Sequence, residues 1–86
     1  MPRLVLSRRA RRERLEAHGH MGHELDDALD RLALGTLVGS PLRGNLAKLY
    51  RVRVDDWRII YEKRPDGTVR VVRIAPRSVV YRNDPR

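Results

Sequence analysis

Hydrophobic positions along the 86-residue chain change period near its middle, and that change sets the expected architecture. Leu4-Val5-Leu6 is a short apolar run that reads as a strand, and Ser7 behind it suits a helix N-cap. Residues 8–17 (RRARRERLEA) are good helix formers in which only Ala10, Leu15 and Ala17 are apolar, which predicts a mostly solvated helix. The segment His18-Gly19-His20-Met21-Gly22 breaks it. Met21, Leu25, Ala28, Leu29 and Leu32 then recur at spacings of three and four, one stripe of a second helix facing a core. Glu24, Asp26 and Asp27 lie in its early turns, where the helix dipole favours negative charge, and Gly35 suits the residue just past its end. The two helices are expected to form an antiparallel hairpin.

From Gly35 to Asn45 the chain holds three glycines, a serine and a proline, which predicts loop. Beyond it the period becomes two. Leu49–Val54, Trp57–Lys63 and Thr68–Ala75 are β-rich runs, separated by Asp55-Asp56 and by the turn signal Arg64-Pro65-Asp66-Gly67. The expectation is one α+β domain spanning residues 1–86, in the order β-α-α-β-β-β: a twisted antiparallel sheet with the helix hairpin on one face.

Alternation within the strands sorts their side chains. A two-residue turn at Asp55-Asp56 pairs Val54 with Trp57, Arg53 with Arg58, Val52 with Ile59 and Tyr50 with Tyr61. Trp57, Ile59 and Tyr61 then lie under the helices with Val52 and Val54, and Arg51, Arg53 and Arg58 share the opposite face. For the third run the same pattern puts Val72 and Ile74 in the core, Arg73 with the arginines, and Arg70 awkwardly on the core side. Cross-strand like charges destabilise a sheet by about 1 kcal/mol, so such a cluster points to a compensating polyanion. The competing reading is that arginine stems merely shield an exposed sheet face.

Charge strengthens the polyanion reading. There are 19 Lys and Arg against 11 Asp and Glu, a net +8. Residues 1–40 carry seven basic and six acidic side chains, residues 41–86 twelve and five, so the binding surface belongs mainly to the second half. Only Lys48 and Lys63 are lysines; arginine offers a planar fork for phosphate and a face for stacking on bases. GC-rich coding explains part of the Arg-to-Lys ratio but not the net charge. There is no cysteine, no apolar run long enough to span a bilayer and no apolar segment after the N-terminal arginines, which together lead one to expect a cytoplasmic protein without a membrane partner. His18, His20 and His23 lie among glycines with no cysteine to complete a zinc set, and read as a loop between helices; no metal site and no small-molecule cofactor are expected. Asp26, Asp27 and Asp30 spread over different faces of a helix. Arg8, Arg9, Arg11, Arg12 and Arg14 form a run that suits either a solvated helix face or phosphate contacts.

Three segments in order resemble the RelE/ParE toxin superfamily. Leu42-Arg43-Gly44-Asn45-Leu46-Ala47-Lys48-Leu49-Tyr50-Arg51-Val52-Arg53-Val54 is similar to the family's "LRG…LYRLRV" segment. Trp57-Arg58-Ile59-Ile60-Tyr61-Glu62 is similar to its "YRVIY" strand. Val72-Arg73-Ile74-Ala75-Pro76-Arg77-Ser78-Val79-Val80-Tyr81 is similar to its closing "V…IGHRxxVY", with Pro76 where histidine is common. The resemblance implies the toxin of a type II toxin–antitoxin pair. RelE-type members cut messenger RNA in the ribosomal A site, whereas ParE-type members share the fold, lack the catalytic set and poison DNA gyrase. The positions used by the RNA-cleaving branch carry over to Arg51, Arg53, Arg58, Arg77 and Tyr81, which implies an endoribonuclease leaving a 2′,3′-cyclic phosphate or 3′-phosphate and a 5′-OH. Arg43, Lys48, Arg73, Arg8 and Arg12 are the expected additional RNA contacts. The implied partners are the ribosome with its mRNA and a cognate antitoxin that wraps the sheet or displaces its C-terminal strand. The alternatives are a gyrase-inhibiting toxin and a non-catalytic member that binds only RNA or antitoxin.

Overall fold

The computed structural model describes residues 3–43 and 48–82, and side chains through residue 79. The elements are β1 (Leu4–Leu6), α1 (Arg8–Leu15), α2 (Gly19–Leu34), β2 (Ser40–Pro41), β3 (Leu49–Val54), β4 (Trp57–Lys63), β5 (Val69–Pro76) and α3 (Arg77–Arg82). The α+β class and the expected order hold, with β2 and α3 added. The strands form one sheet in the order β1-β5-β4-β3-β2. The meander β3-β4-β5 is antiparallel, with the Asp55-Asp56 turn giving the expected β3–β4 register throughout. β1 pairs with β5 in parallel, so the sheet is mixed rather than wholly antiparallel. The long stretch of chain between these two strands permits the parallel crossover.

The helices end where local chemistry says they should. The Ser7 side chain caps α1 by accepting from the Ala10 N–H (3.0 Å), and its hydroxyl donates to the Val72 carbonyl (3.1 Å). Gly35 closes α2 with φ of 81°, in the left-handed region open to glycine. α2 starts at Gly19, so His20 and His23 lie in its first turns rather than in a loop. His20 Nε2 reaches Glu24 Oε1 at 3.3 Å one turn on. Gly19, at φ of 60°, supplies the sharp turn that lets the second helix begin so soon after the first.

The main core joins Ala10 and Ala17 to the stripe Leu25, Ala28, Leu29 and Leu32, over Val52, Ile59, Tyr61, Val69, Val71 and Ile74 of the sheet. In β5 the prediction fails by one residue. A bulge lies opposite Ile60 and Tyr61: Ile60 pairs with Arg73 but Tyr61 with Val71. The inserted residue reverses the alternation on its N-terminal side. Val71, not Val72, enters the core, and Arg70 turns to the opposite face, where it meets Glu62 at 3.7 Å.

A second apolar cluster occupies that opposite face: Ile60 and Ala75, packed by Leu42, Leu49, Val72 and Val79. The sheet is therefore covered on both sides in part, by α1 and α2 on one and by Val79 of α3 on the other. Among the described residues no helix is long and apolar enough to cross a membrane.

Candidate active site

The β3–β4 register sets Arg53 opposite Arg58 and Arg51 opposite Ile60, alternating with the core pairs Val52–Ile59 and Tyr50–Tyr61. Arg51, Arg53 and Arg58 thus share the face away from α1 and α2. They are not equivalent there. Arg53 is exposed and Arg51 half-buried, but Arg58 retains only 6% exposure. Its Nη1 donates to the Asp55 carbonyl (3.0 Å) and the Trp57 carbonyl (2.9 Å). These bonds offset part of the cost of burying the guanidinium, which is held against carbonyl dipoles. Asp55 makes the geometry possible by adopting φ of 56°, a conformation aspartate tolerates better than most residues.

The same turn receives the start of α3. Pro76 ends β5 opposite Trp57, and the Arg77 N–H donates to the Asp56 carbonyl at 2.8 Å. Three successive carbonyls, of Asp55, Asp56 and Trp57, are therefore occupied by Arg58 and Arg77, which brings these two arginines to one end of the arginine face. The Arg77 side chain is exposed. With Asp56, Pro76 and Ser78 it lines an open cavity of about 490 Å³. No described carboxylate pairs with Arg53, Arg58 or Arg77. Such a face can orient a phosphate and stabilise charge developing on it. Tyr81 belongs to the last turn of α3, but its side chain lies outside the described residues, and so does any proton transfer it performs.

Arg73 departs from expectation. In register it faces Ile60, yet only 2% of it is exposed. Its Nε and Nη2 both meet Glu13 Oε2 at 2.9 Å, while Glu13 Oε1 accepts the Ile74 N–H at 2.7 Å. The guanidinium reaches Glu13 because α1 packs beside β5 beyond the end of β1. Arg73 is thereby removed from the RNA-contacting set, because a buried, paired guanidinium offers no fork to a phosphate. The remaining expected contacts, Arg8 and Arg12 on α1 and Arg43 and Lys48 flanking the segment before β3, are all exposed.

Two important residues escaped the sequence reading. Glu13 falls between Ala10 and Ala17 at spacings of three and four, on the inward stripe of α1, and that spacing was the available signal. Asp56 looked like a turn residue and nothing more.

Comparison with known proteins places the chain among bacterial and archaeal toxins. Residues 4–81 match a family model described as the ParE toxin of type II toxin–antitoxin systems, parDE. No curated protein matches the sequence. Among solved structures, the RelBE2 toxin–antitoxin complex of Mycobacterium tuberculosis aligns with a TM-score of 0.76 at 25% identity, covering 88% of this chain and 99% of that one. The DinJ–YafQ complex of E. coli gives 0.76 at 19% identity over 94% and 99%. The archaeal RelE–RelB complex of Pyrococcus horikoshii gives 0.70 at 19% over 91% and 97%.

Proposed function

Because this chain belongs to the ParE toxin family of type II toxin–antitoxin systems, within the RelE/ParE superfamily, we propose that it is the RNA-cleaving kind of toxin, a ribosome-dependent mRNA endonuclease that stops translation. The observation that supports this reading is that Arg51, Arg53 and Arg58 share one sheet face while Arg77 begins α3 against the Asp56 carbonyl of the adjoining turn.

In the proposed reaction the 2′-oxygen of the RNA attacks the adjacent phosphorus and the bond to the 5′-oxygen breaks. The products are a 2′,3′-cyclic phosphate, opening to a 3′-phosphate, and a 5′-OH. Arg51, Arg53 and Arg77 hold the phosphate and neutralise the extra negative charge of the transition state. Arg58, anchored by the turn carbonyls, stiffens that array and adds its field. Arginines hold their protons too tightly to shuttle them. Tyr81, the C-terminal phenol implied by the family resemblance, takes the proton of the 2′-OH. Water or the ribosome supplies the proton to the leaving oxygen.

The cognate partner is an antitoxin whose acidic or apolar segment covers the arginine face, in keeping with the antitoxin complexes of the structural relatives. A second reading, a gyrase-directed toxin without chemistry of its own, draws support from the commitment of Arg58 to backbone carbonyls. Primer extension on translated mRNA, after expression of the wild type and of Arg77→Ala, separates the two. Cuts within A-site codons, bearing 5′-OH ends and absent in the variant, support the nuclease. Intact mRNA with DNA damage supports the gyrase reading.

A further inference from the structure

The bulge divides β5 into two registers. Tyr61, Glu62 and Lys63 meet Val71, Arg70 and Val69, whereas Ile60, Ile59, Arg58 and Trp57 meet Arg73, Ile74, Ala75 and Pro76. Without the bulge the first register would run on. Arg73 would then face Ile59, Ile74 would face Arg58, and Arg77 would stand one residue, about 3.4 Å, further past the turn. The bulged register keeps Ile74 in the core but turns its N–H away from β4. β1 does not receive that N–H, because it pairs with β5 only as far as Val71. The α1 segment receives it instead. The Ser7 hydroxyl donates to the Val72 carbonyl at 3.1 Å, Glu13 Oε2 takes Arg73 Nε at 2.9 Å, and Glu13 Oε1 takes the Ile74 N–H at 2.7 Å. Three successive residues at the bulge are thus held from outside the sheet. Three residues beyond Ile74, the Arg77 N–H meets the Asp56 carbonyl at 2.8 Å.

We infer that Glu13 is a positioning residue: it locks the bulged register of β5 and thereby sets where Arg77 stands against the Asp55-Asp56 turn. The catalytic consequence rests on the proposed RNA cleavage. The physical cause is a buried donor. In the bulged register the Ile74 N–H is buried and off the β4 ladder, so it needs an acceptor. In the bulge-free register Ile74 would pair with Arg58 and return that N–H to the ladder. Glu13 removes the incentive to slip by accepting the N–H from the side. Its charge works in the same direction, because Arg73 opposite Ile59 would lie on the core side of the sheet, away from a carboxylate at the strand edge. A slip of one residue also sends every side chain beyond it to the other face. Catalysis is sensitive to far less: a misplacement of about 1 Å can cost roughly a hundredfold in rate.

The test compares two variants of the full chain in which no charge stays buried. Glu13→Gln with Arg73→Met keeps an acceptor for the Ile74 N–H; Glu13→Leu with Arg73→Met removes it. Opposed residues that exchange no hydrogen bonds in an antiparallel pair have Cα atoms only about 4.5 Å apart. The wild type should therefore show an Hα–Hα nuclear Overhauser effect between Ile59 and Ile74. The glutamine variant should keep that effect, a slowly exchanging Arg77 amide and the wild-type kcat for RNA cleavage. In the leucine variant the effect should move to position 73, and the Arg77 amide should exchange about tenfold faster, the scale of one hydrogen bond. Its kcat should fall about a hundredfold, with KM changed far less. A leucine variant that keeps the Ile59–Ile74 effect, or that loses it and still cleaves at the wild-type kcat, overturns the inference. So does a glutamine variant that loses the effect. Should the leucine variant not fold, Glu13→Asn with Arg73→Met, whose side chain is one methylene too short for the Ile74 N–H, answers to the same outcomes. A wild-type chain that leaves mRNA intact overturns the nuclease and not the lock, which resonance and exchange measurements read without RNA.

Discussion

Glu13 and Arg73, 60 residues apart, form a buried ion pair in which both Nε and Nη2 of the arginine meet one carboxylate oxygen at 2.9 Å. The other oxygen of Glu13 takes the Ile74 N–H. One side chain of α1 thereby satisfies a strand edge that β1 is too short to reach. Removing one partner of a buried pair strands the other, which typically destabilises by about 3–5 kcal/mol. Glu13→Ala should therefore lower the urea midpoint sharply, by that amount of free energy. Glu13→Gln combined with Arg73→Met should recover most of it, because the amide oxygen still accepts from Ile74 and no charge remains buried. If the double variant is as unstable as Glu13→Ala, the pair is not what holds α1 to the sheet.

Tyr61 offers a second structural test. Its hydroxyl accepts the Gly39 N–H at 2.8 Å, and its ring stacks on Tyr50 with centroids 5.4 Å apart. A side-chain carbon on Gly39 would sit 2.5 Å from the Arg51 carbonyl oxygen and 3.0 Å from the Tyr61 ring. Tyr61→Phe should cost about 1–3 kcal/mol by leaving the Gly39 donor unsatisfied. Gly39→Ala should cost more, because backbone rather than a flexible side chain must yield. Urea unfolding of the two variants gives the order directly.

Arg53 and Arg58 face each other across the β3–β4 ladder but should respond differently to truncation. Arg53 is exposed, so Arg53→Ala should leave stability within about 0.5 kcal/mol. It should also reduce the salt dependence of single-stranded RNA binding by about 0.7 in slope for the lost phosphate contact. Arg58→Ala should lower the melting temperature as well, since two carbonyl bonds at the turn go with it. Equal melting temperatures for both variants would contradict the anchoring role of Arg58.

At the far side of the molecule, Arg14 grips Asp26 through two bonds of 2.7 Å, joining α1 to α2. That hydrogen bonding, opposed by partial burial and aided by the charges of Arg14 and His23, lowers the Asp26 carboxyl below the usual aspartate value of 3.8. A carboxyl depressed in the folded state binds its proton more readily when unfolded. Its stabilisation is present above 3.8 and is lost as pH falls through the lower folded value. The carboxylate is 55% exposed, so solvent screening limits the effect to below about 1 kcal/mol. Asp26→Asn should melt slightly below the wild type at neutral pH, and the two curves should converge in acid. A gap that persists in acid would exclude ionisation of Asp26 as its source.

Much of this molecule is legible from local pattern. The stripe from Met21 to Leu32 places α2. Ser7 and Gly35 mark helix ends because a cap and a left-handed residue are local requirements. Asp55-Asp56 sets the β3–β4 register, since a two-residue turn leaves one pairing in which Val52 and Ile59 are both buried. That register alone gathers Arg51, Arg53 and Arg58. The β5 alternation was misread because a bulge leaves no mark in a run of valines and arginines that would pair equally well without it.

The sequence by itself determined the order of the main elements and the inward and outward faces of β3 and β4, because both follow from spacing over a few residues, and three of its segments carry the resemblance to the family to which the chain belongs. Tertiary structure alone decided which arginines are available. It sent Arg73 to Glu13, turned Arg58 onto carbonyls and folded α3 back so that Arg77 and Asp56 frame one cavity. Those outcomes depend on groups up to 60 residues apart competing for the same charge or donor, and no local pattern encodes which competitor wins.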